Sequence, residues 1–356
     1  MDVHKNMQLL SLATGILLFQ GGMTSNLQAQ EFDGCLVTGA DRWMYPFNAT
    51  PGTRPGGSVF GYLPYPAETS FDNRDGQMIV AFDTTGLVPS GEGAEHYEID
   101  QLVVEMTLSG ELSSPIDLTV DEWETYLPAT EKEWEPDEDA GRPIELYAAG
   151  FRYDYTRVNW NENDPFSDQG AFGTNHRSVF SAGIAEDGEL FEVSSSFNDG
   201  YTAVPMAVAT FADYGVGEIA PEGAVAIFTI DLSTPEVRGW VGESLNEGRI
   251  VFAVTSLVTA AQGDGVLTQF YLKENPLVTA GVRSAGELCI TGRISEGCSI
   301  PEDQNGDCEI NGADLGLLLA LWGDCEAPCP GDLNGDGEVG GADLGLLLAA
   351  WAPSEG

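Results

Sequence analysis

Short apolar runs with a period of two, or with no polar break at all, mark the chain between residues 35 and 290. Segments 77–83 (QMIVAFD), 101–108 (QLVVEMTL), 116–120, 204–211, 224–231 and 249–257 are rich in Val, Ile, Leu and Phe and are separated by Gly, Pro, Asn and Asp. Side chains of a strand alternate between two faces, so such runs punctuated by turn residues predict β-strands. No long stretch repeats its apolar positions every 3.6 residues, which predicts an all-β region. Its most helix-like segment is 233–241 (STPEVRGWV), where Ser233 and Glu236 make a capping box and Pro235 falls in the first turn. Roughly ten strands over the 256 residues predict a β-sandwich, jelly-roll-like in arrangement. Residues 121–143, with nine carboxylates against Lys132 and Arg142, read as a solvated loop.

After residue 299 the period changes. Leu315, Leu318, Leu319 and Trp322, and then Leu344, Leu347, Leu348 and Trp351, fall at i, i+3, i+4 and i+7, one apolar stripe on each of two helices. Neither helix can bury its stripe alone, so the two are expected to pack on each other with pseudo-twofold symmetry. Ahead of each helix stands one twelve-residue pattern, the copies 29 residues apart. The first holds Asp303, Asn305, Asp307, Glu309, Asn311 and Asp314; the second holds Asp332, Asn334, Asp336, Glu338 and Asp343. Oxygens at loop positions 1, 3 and 5, a backbone carbonyl at 7 and a carboxylate at 12 converge on a hard divalent cation, so two calcium ions are expected. Position 6 is Gly337 in the second loop but Cys308 in the first, and position 9 is Asn311 in the first but Gly340 in the second, where water would have to serve.

This loop-then-helix duplication, without the entering helix of a full EF-hand, resembles a dockerin type I module over residues 299–356. The resemblance implies a small all-α calcium-binding unit that docks to a cohesin-like protein through its helices. The family chooses partners with hydroxyl residues at loop positions 10 and 11 and a basic residue further along, whereas this chain has Gly312, Ala313, Gly341 and Ala342, then Leu319-Ala320 and Leu348-Ala349. The same apolar helices are equally suited to capping the chain's own sandwich. Most of residues 35–290 resembles, more loosely, the DNRLRE-type secreted β-sandwich modules, through Asp-Arg-Trp-Met-Tyr at 41–45, the 78–83 and 102–108 segments, Asn-Trp-Asn-Glu at 159–162 and Trp240 in a late helix. That resemblance implies a noncatalytic module, in some members associated with polysaccharide.

Charge narrows the partners. With 57 Asp and Glu against 14 Lys and Arg the net charge is −43, which excludes duplex nucleic acid as a natural partner and suits cation binding and solubility. At the start, Lys5, an apolar run of 11 residues over 9–19 and Leu27-Gln28-Ala29 read as a signal peptide cleaved before Gln30, too short to span a bilayer. A secreted, extracellular or cell-surface protein with no membrane span is expected, divided into 1–29, a sandwich over 30–290, a linker over 291–298 and the unit at 299–356. An exported chain with Cys35, Cys289, Cys298, Cys308, Cys325 and Cys329 is expected to form disulfides, Cys35 with Cys289 tying the ends of the sandwich and the other four unassigned. A zinc site is disfavoured, since the histidines are only His4, His96 and His176.

Two functions stay open. One is a noncatalytic protein carrying a docking unit, tied to polysaccharide breakdown and binding polysaccharide through Tyr153, Tyr155 and Trp160, rings that cluster beside Asn161, Glu162, Asn163, Asp164 and Asp168. The other is a secreted glycoside hydrolase or lyase bearing the same unit, whose two carboxylates would stand about 5–10 Å apart. No GxSxG, HExxH or phosphate-binding Gly-rich motif is present, so no catalytic residue is assigned and catalysis is the lesser expectation.

Overall fold

The structure is a computed structural model that describes residues 30–48, 50–68, 70–168, 176–259, 267–295, 301–305, 310–325 and 329–351. The expected signal peptide, 1–29, lies outside them. In chain order the strands are β1 (Gln30–Val37), β2 (Ala40–Met44), β3 (Gly56–Val59), β4 (Gln77–Asp83), β5 (Tyr97–Thr107), β6 (Glu145–Phe151), β7 (Val179–Ile184), β8 (Leu190–Glu192), β9 (Ala207–Val208), β10 (Thr210–Phe211), β11 (Val225–Thr229), β12 (Arg249–Thr255), β13 (Thr268–Tyr271), β14 (Glu287–Ile294), β15 (Gly323–Asp324) and β16 (Glu338–Val339). The helices are α1 (Ser196–Asp199), α2 (Pro235–Asn246), α3 (Pro276–Thr279), α4 (Gly312–Ala320) and α5 (Gly341–Ala350). The protein is therefore mainly β, and the ladders between named strands are antiparallel.

Two sheets carry the fold. One runs β1-β14-β5-β11-β10, the other β2-β4-β12-β6-β7-β8 with β9 added on β6. Met78, Val80 and Phe82 of β4 meet Leu102, Val104 and Met106 of β5 in the main core, while Ile79 and Ala81 turn to a second apolar cluster. β12 divides in the same way, with Ile250, Phe252 and Val254 in the main core and Val251 and Ala253 in the second cluster. Strands buried on both faces lose the polar half of their alternation, so these two are the near-continuous apolar runs of the sequence. Each fully buried Phe or Ile contributes roughly 1.5–3 kcal/mol.

The expected helix is present but longer, ending at Asn246, and its Trp240, Val241 and Leu245 enter the main core. The capping box does not form: the N-cap is Thr234, without a side-chain bond, and the Ser233 amide instead donates to Asp231 Oδ1 at 2.8 Å. Segment 116–120 is not a strand. Asp117 Oδ1 accepts the Thr119 amide at 2.9 Å, and this local turn competes with a ladder. The β region runs past residue 290, since β14 continues to Ile294 through part of the supposed linker. Cys35 and Cys289 stand directly opposite each other in the β1·β14 ladder and form the expected disulfide.

In the C-terminal region Leu318, Val339 and Leu347 are buried together, packed against Ile310, Leu315, Leu333, Leu344 and Trp351. The region is not all-α, because β15 pairs with β16 and Cys325 is bonded to Cys329. Nor does each stripe bury whole: Leu319 and Leu348 are both 50% exposed. A cluster this small takes one leucine per helix into its centre. No helix among the described residues is long and apolar enough to cross a membrane.

Candidate metal centre

The two C-terminal loops repeat one hydrogen-bond pattern. Asp314 Oδ1 accepts the amides of Gln304 (2.9 Å) and Asn305 (3.3 Å), and its Oδ2 accepts that of Asn311 (2.8 Å). Asp343 Oδ1 accepts the amides of Leu333 (2.9 Å) and Asn334 (3.1 Å), and its Oδ2 accepts that of Gly340 (2.7 Å). The last carboxylate of each loop thus ties the start of the loop to the first turn of the helix behind it. The Gly340, Asn334 and Leu333 amides hold the Asp343 carboxyl below the usual carboxylate range. For Asp314 burial acts the other way, and the Asn311, Gln304 and Asn305 amides outweigh it.

The second loop is described throughout. Asp332 accepts the amides of Gly335 (2.7 Å) and Asp336 (3.1 Å) on one oxygen and of Gly337 (2.8 Å) on the other. Asn334 Oδ1 accepts the Asp336 amide at 2.8 Å, and Asp336 Oδ1 accepts the Glu338 amide at 3.0 Å. This winding needs left-handed backbone at Gly335 (φ 77°) and Gly337 (φ 87°), which glycine adopts without a Cβ clash. The donor set is oxygen only, as a hard cation of calcium size requires. Asp307 and Glu309 of the first loop lie outside the described residues, while Asp303, Asn305, Asn311 and Asp314 lie within them. Residues 299–356 hold twelve Asp and Glu and no Lys, Arg or His, so this region has no side-chain cation of its own.

The proposed sugar-stacking rings do not make a face. Trp160 is 1% exposed and belongs to the second cluster, with Phe166, Ala40 and Val251. Tyr155 and Phe151 pack against that cluster, and only Tyr153 stands out, at 37% exposure, with its hydroxyl donating to His176 O at 2.9 Å. A ring-rich segment beside polar residues looks the same in sequence whether it covers a sheet or faces water. The neighbouring Glu162 is also engaged: its Oε1 pairs with Lys273 Nζ at 2.7 Å and its Oε2 accepts the Asp41 amide at 3.1 Å. Burial pushes the nearby Asp41 carboxyl up to about 7.

Comparison with family models, with curated proteins and with solved structures finds no match to this chain.

Three charged constellations were not legible in the sequence. Arg74, fully buried, donates to both oxygens of Glu145 (2.7 and 3.0 Å), to Tyr147 Oη (3.1 Å), Ser196 Oγ (2.7 Å) and Val193 O (2.8 Å). Arg177 is held by Asp72 and donates to the carbonyls of Met44 and Asp75, both at 2.7 Å. These are satisfied ion pairs joining β6, β7 and the segment before β4. The only local signal was the polar run Asp72-Asn73-Arg74-Asp75 ahead of an apolar strand. The third joins the 116–120 run, read as a strand, to the 121–143 segment, read as a solvated loop: Asp117 is 2% exposed and the Asp121 side chain 3%. There Glu122, Glu124, Glu135, Asp137, Glu138 and Asp139 wall a cavity of about 470 Å³.

Proposed function

We propose that the chain is an exported noncatalytic protein in which a jelly-roll-like sandwich carries a dockerin-like unit that takes two calcium ions and joins the protein to a cohesin-like partner. The observation that carries this reading is the repeated loop: oxygen side chains at positions 1, 3, 5 and 12, with the position-12 carboxylates of Asp314 and Asp343 making the same three kinds of amide contact. Asp332, Asn334, Asp336 and Asp343, with the Glu338 carbonyl, would hold the ion of the second loop, and Asp303, Asn305, Asp307, Asn311 and Asp314, with the Glu309 carbonyl, that of the first. A bound cation supplies the positive charge that these loops lack in side-chain form.

The helices supply the docking chemistry. Leu317, Leu319, Leu321 and Trp322 on and after α4, and Leu346 and Leu348 on α5, are 40–50% exposed, an apolar surface in a strongly acidic region. Single exposed leucines are ordinary, but six large apolar side chains on two short helices favour a protein partner. The buried state of Trp160 removes the ring face on which polysaccharide stacking was expected, so sugar binding is not part of this reading. Calorimetric titration of the full chain tests it: Asp343→Ala is expected to weaken calcium binding at one site at least tenfold, and Asp324→Ala, outside both loops, to leave it unchanged. Equal effects of the two substitutions would overturn the assignment.

A further inference from the structure

We infer that Asp121 and Asp139, which line the cavity walled by residues 119–139, form with the buried Asp117 beside them a divalent-cation site of the sandwich itself, separate from the C-terminal loops. One carboxylate oxygen from each of these three residues lies within 4.8 Å of the others. Acidic groups gather on many surfaces without consequence, so the burial and the remaining partners decide. Asp117 is 2% exposed; its Oδ1 accepts from the Thr119 amide (2.9 Å) and hydroxyl (2.7 Å), and its Oδ2, also buried, has no hydrogen-bond donor. A buried carboxylate oxygen left without a donor is costly, and a cation or a proton must compensate it.

The protein's own cation at this place is already committed. Arg142 Nη1 lies 2.8 Å from both Asp121 Oδ2 and Asp137 Oδ2. It also donates to Thr125 Oγ1 at 3.0 Å, and its guanidinium carbon stands 4.1 Å from the centre of the Tyr126 ring. Held on those sides, the guanidinium serves Asp121 and Asp137 and leaves Asp117 to another charge. Seven carboxylates line the cavity, and Arg142 neutralises about one of them. The single Thr119 hydroxyl hydrogen is shared, since Oγ1 lies 2.7 Å from Asp117 Oδ1 and 2.9 Å from Asp139 Oδ2, which places the two carboxylates side by side across 22 residues of sequence. An all-oxygen set of which Asp121 and Asp139 open on a cavity of about 470 Å³ leaves room for several waters, which suits calcium, with its six to eight ligands.

The test uses calcium alone on the full chain. A variant with Asp303→Ala and Asp332→Ala, which disables both C-terminal loops, is expected to retain one calcium equivalent in calorimetric titration, and adding Asp117→Asn and Asp139→Asn is expected to abolish it. A loop variant that binds no calcium overturns the inference, as does a quadruple variant that still binds one equivalent. Because each pair of substitutions is scored separately, failure of the docking reading leaves the cavity result readable. Should the Asp117 and Asp139 replacements prevent folding, crystals of the unaltered chain soaked in terbium decide: an anomalous peak among the three aspartates is expected, and its absence overturns the site.

Discussion

The two-sheet β region and the C-terminal repeats solve one electrostatic problem in different ways. Both bury carboxylates. In the sandwich, Glu145 and Asp72 meet the guanidinium groups of Arg74 and Arg177 inside the fold. In the repeats Asp314 and Asp343 are equally inaccessible, but their contacts are backbone amides, and no basic residue exists between 299 and 356. A guanidinium carries its charge wherever the chain folds, whereas amides supply only partial charges. At these pairs the first region supplies its own counter-charge, and the repeats have no side-chain cation to do so.

The sharpest way to break this contrast is to remove one internal partner. Glu145→Ala strands the Arg74 guanidinium in the interior, and loss of one partner of a buried pair costs about 3–5 kcal/mol. Denaturant unfolding followed by near-ultraviolet circular dichroism is expected to show that loss with or without calcium. A loss below about 1 kcal/mol would mean that Arg74 is not buried with Glu145 as its main counter-charge.

Acid should affect the two regions with opposite sign. Asp41 is raised from 3.8 to about 7 chiefly by burial, so the folded state holds a proton that the unfolded chain releases above its ordinary carboxylate range. Its contribution is complete below that range and is lost as pH climbs through about 7, amounting to at most ~4 kcal/mol for roughly three pK units. Asp75, raised to about 6 mainly by burial, acts in the same direction. Asp314 and Asp343 are held low, so the support they give the repeats is present above the ordinary range and is lost on acidification through their lowered values. Thermal melts between pH 4 and pH 8 in chelator are expected to show sandwich stability falling as pH rises, with a flatter dependence in Asp41→Asn. A profile unchanged by Asp41→Asn would remove that carboxyl from the account.

Calcium should stabilise the repeats by about 2.7 kcal/mol per site at a concentration one hundred times the dissociation constant. Chelator is expected to lower the helical signal from α4 and α5; a helical signal indifferent to calcium would dissolve the contrast. The smallest effect belongs to the surface. Leu319→Ser with Leu348→Ser is expected to change stability by about 0.5 kcal/mol or less, since both side chains are half exposed, while weakening any capture of a cohesin-like partner.

What the sequence disclosed follows from how local each signal is. β4 matched the apolar run at 77–83 residue for residue, because both of its faces are buried. β2 gave no such run: Asp41 and Arg42 interrupt it, and their burial depends on Glu162, Lys273 and the Asp164 carbonyl, brought from distant segments. β1 pairs only with β14 and exposes most of its residues, so its letters look like loop. The repeated Asp and Asn pattern of the two loops was legible because its members recur within twelve residues. The cluster of Asp117, Asp121 and Asp139 was not, since it forms only when the acidic segment folds back on itself. Trp160 misled for the converse reason, as nothing in its neighbours shows which side of the sheet its loop covers.

The bond between Cys35 and Cys289 has a mechanical meaning. It joins two residues 254 positions apart at the point where the first strand of the sandwich lies against the last. Tension applied between residue 30 and the C-terminal helices therefore crosses the sulfur bridge, and the chain between the two cysteines lies outside the line of force. Fully extended, that stretch would lengthen the molecule by roughly 800–900 Å. While the bridge is intact this length is withheld, so a protein tethered by its C-terminal unit could be pulled hard without its sandwich being drawn out into thread.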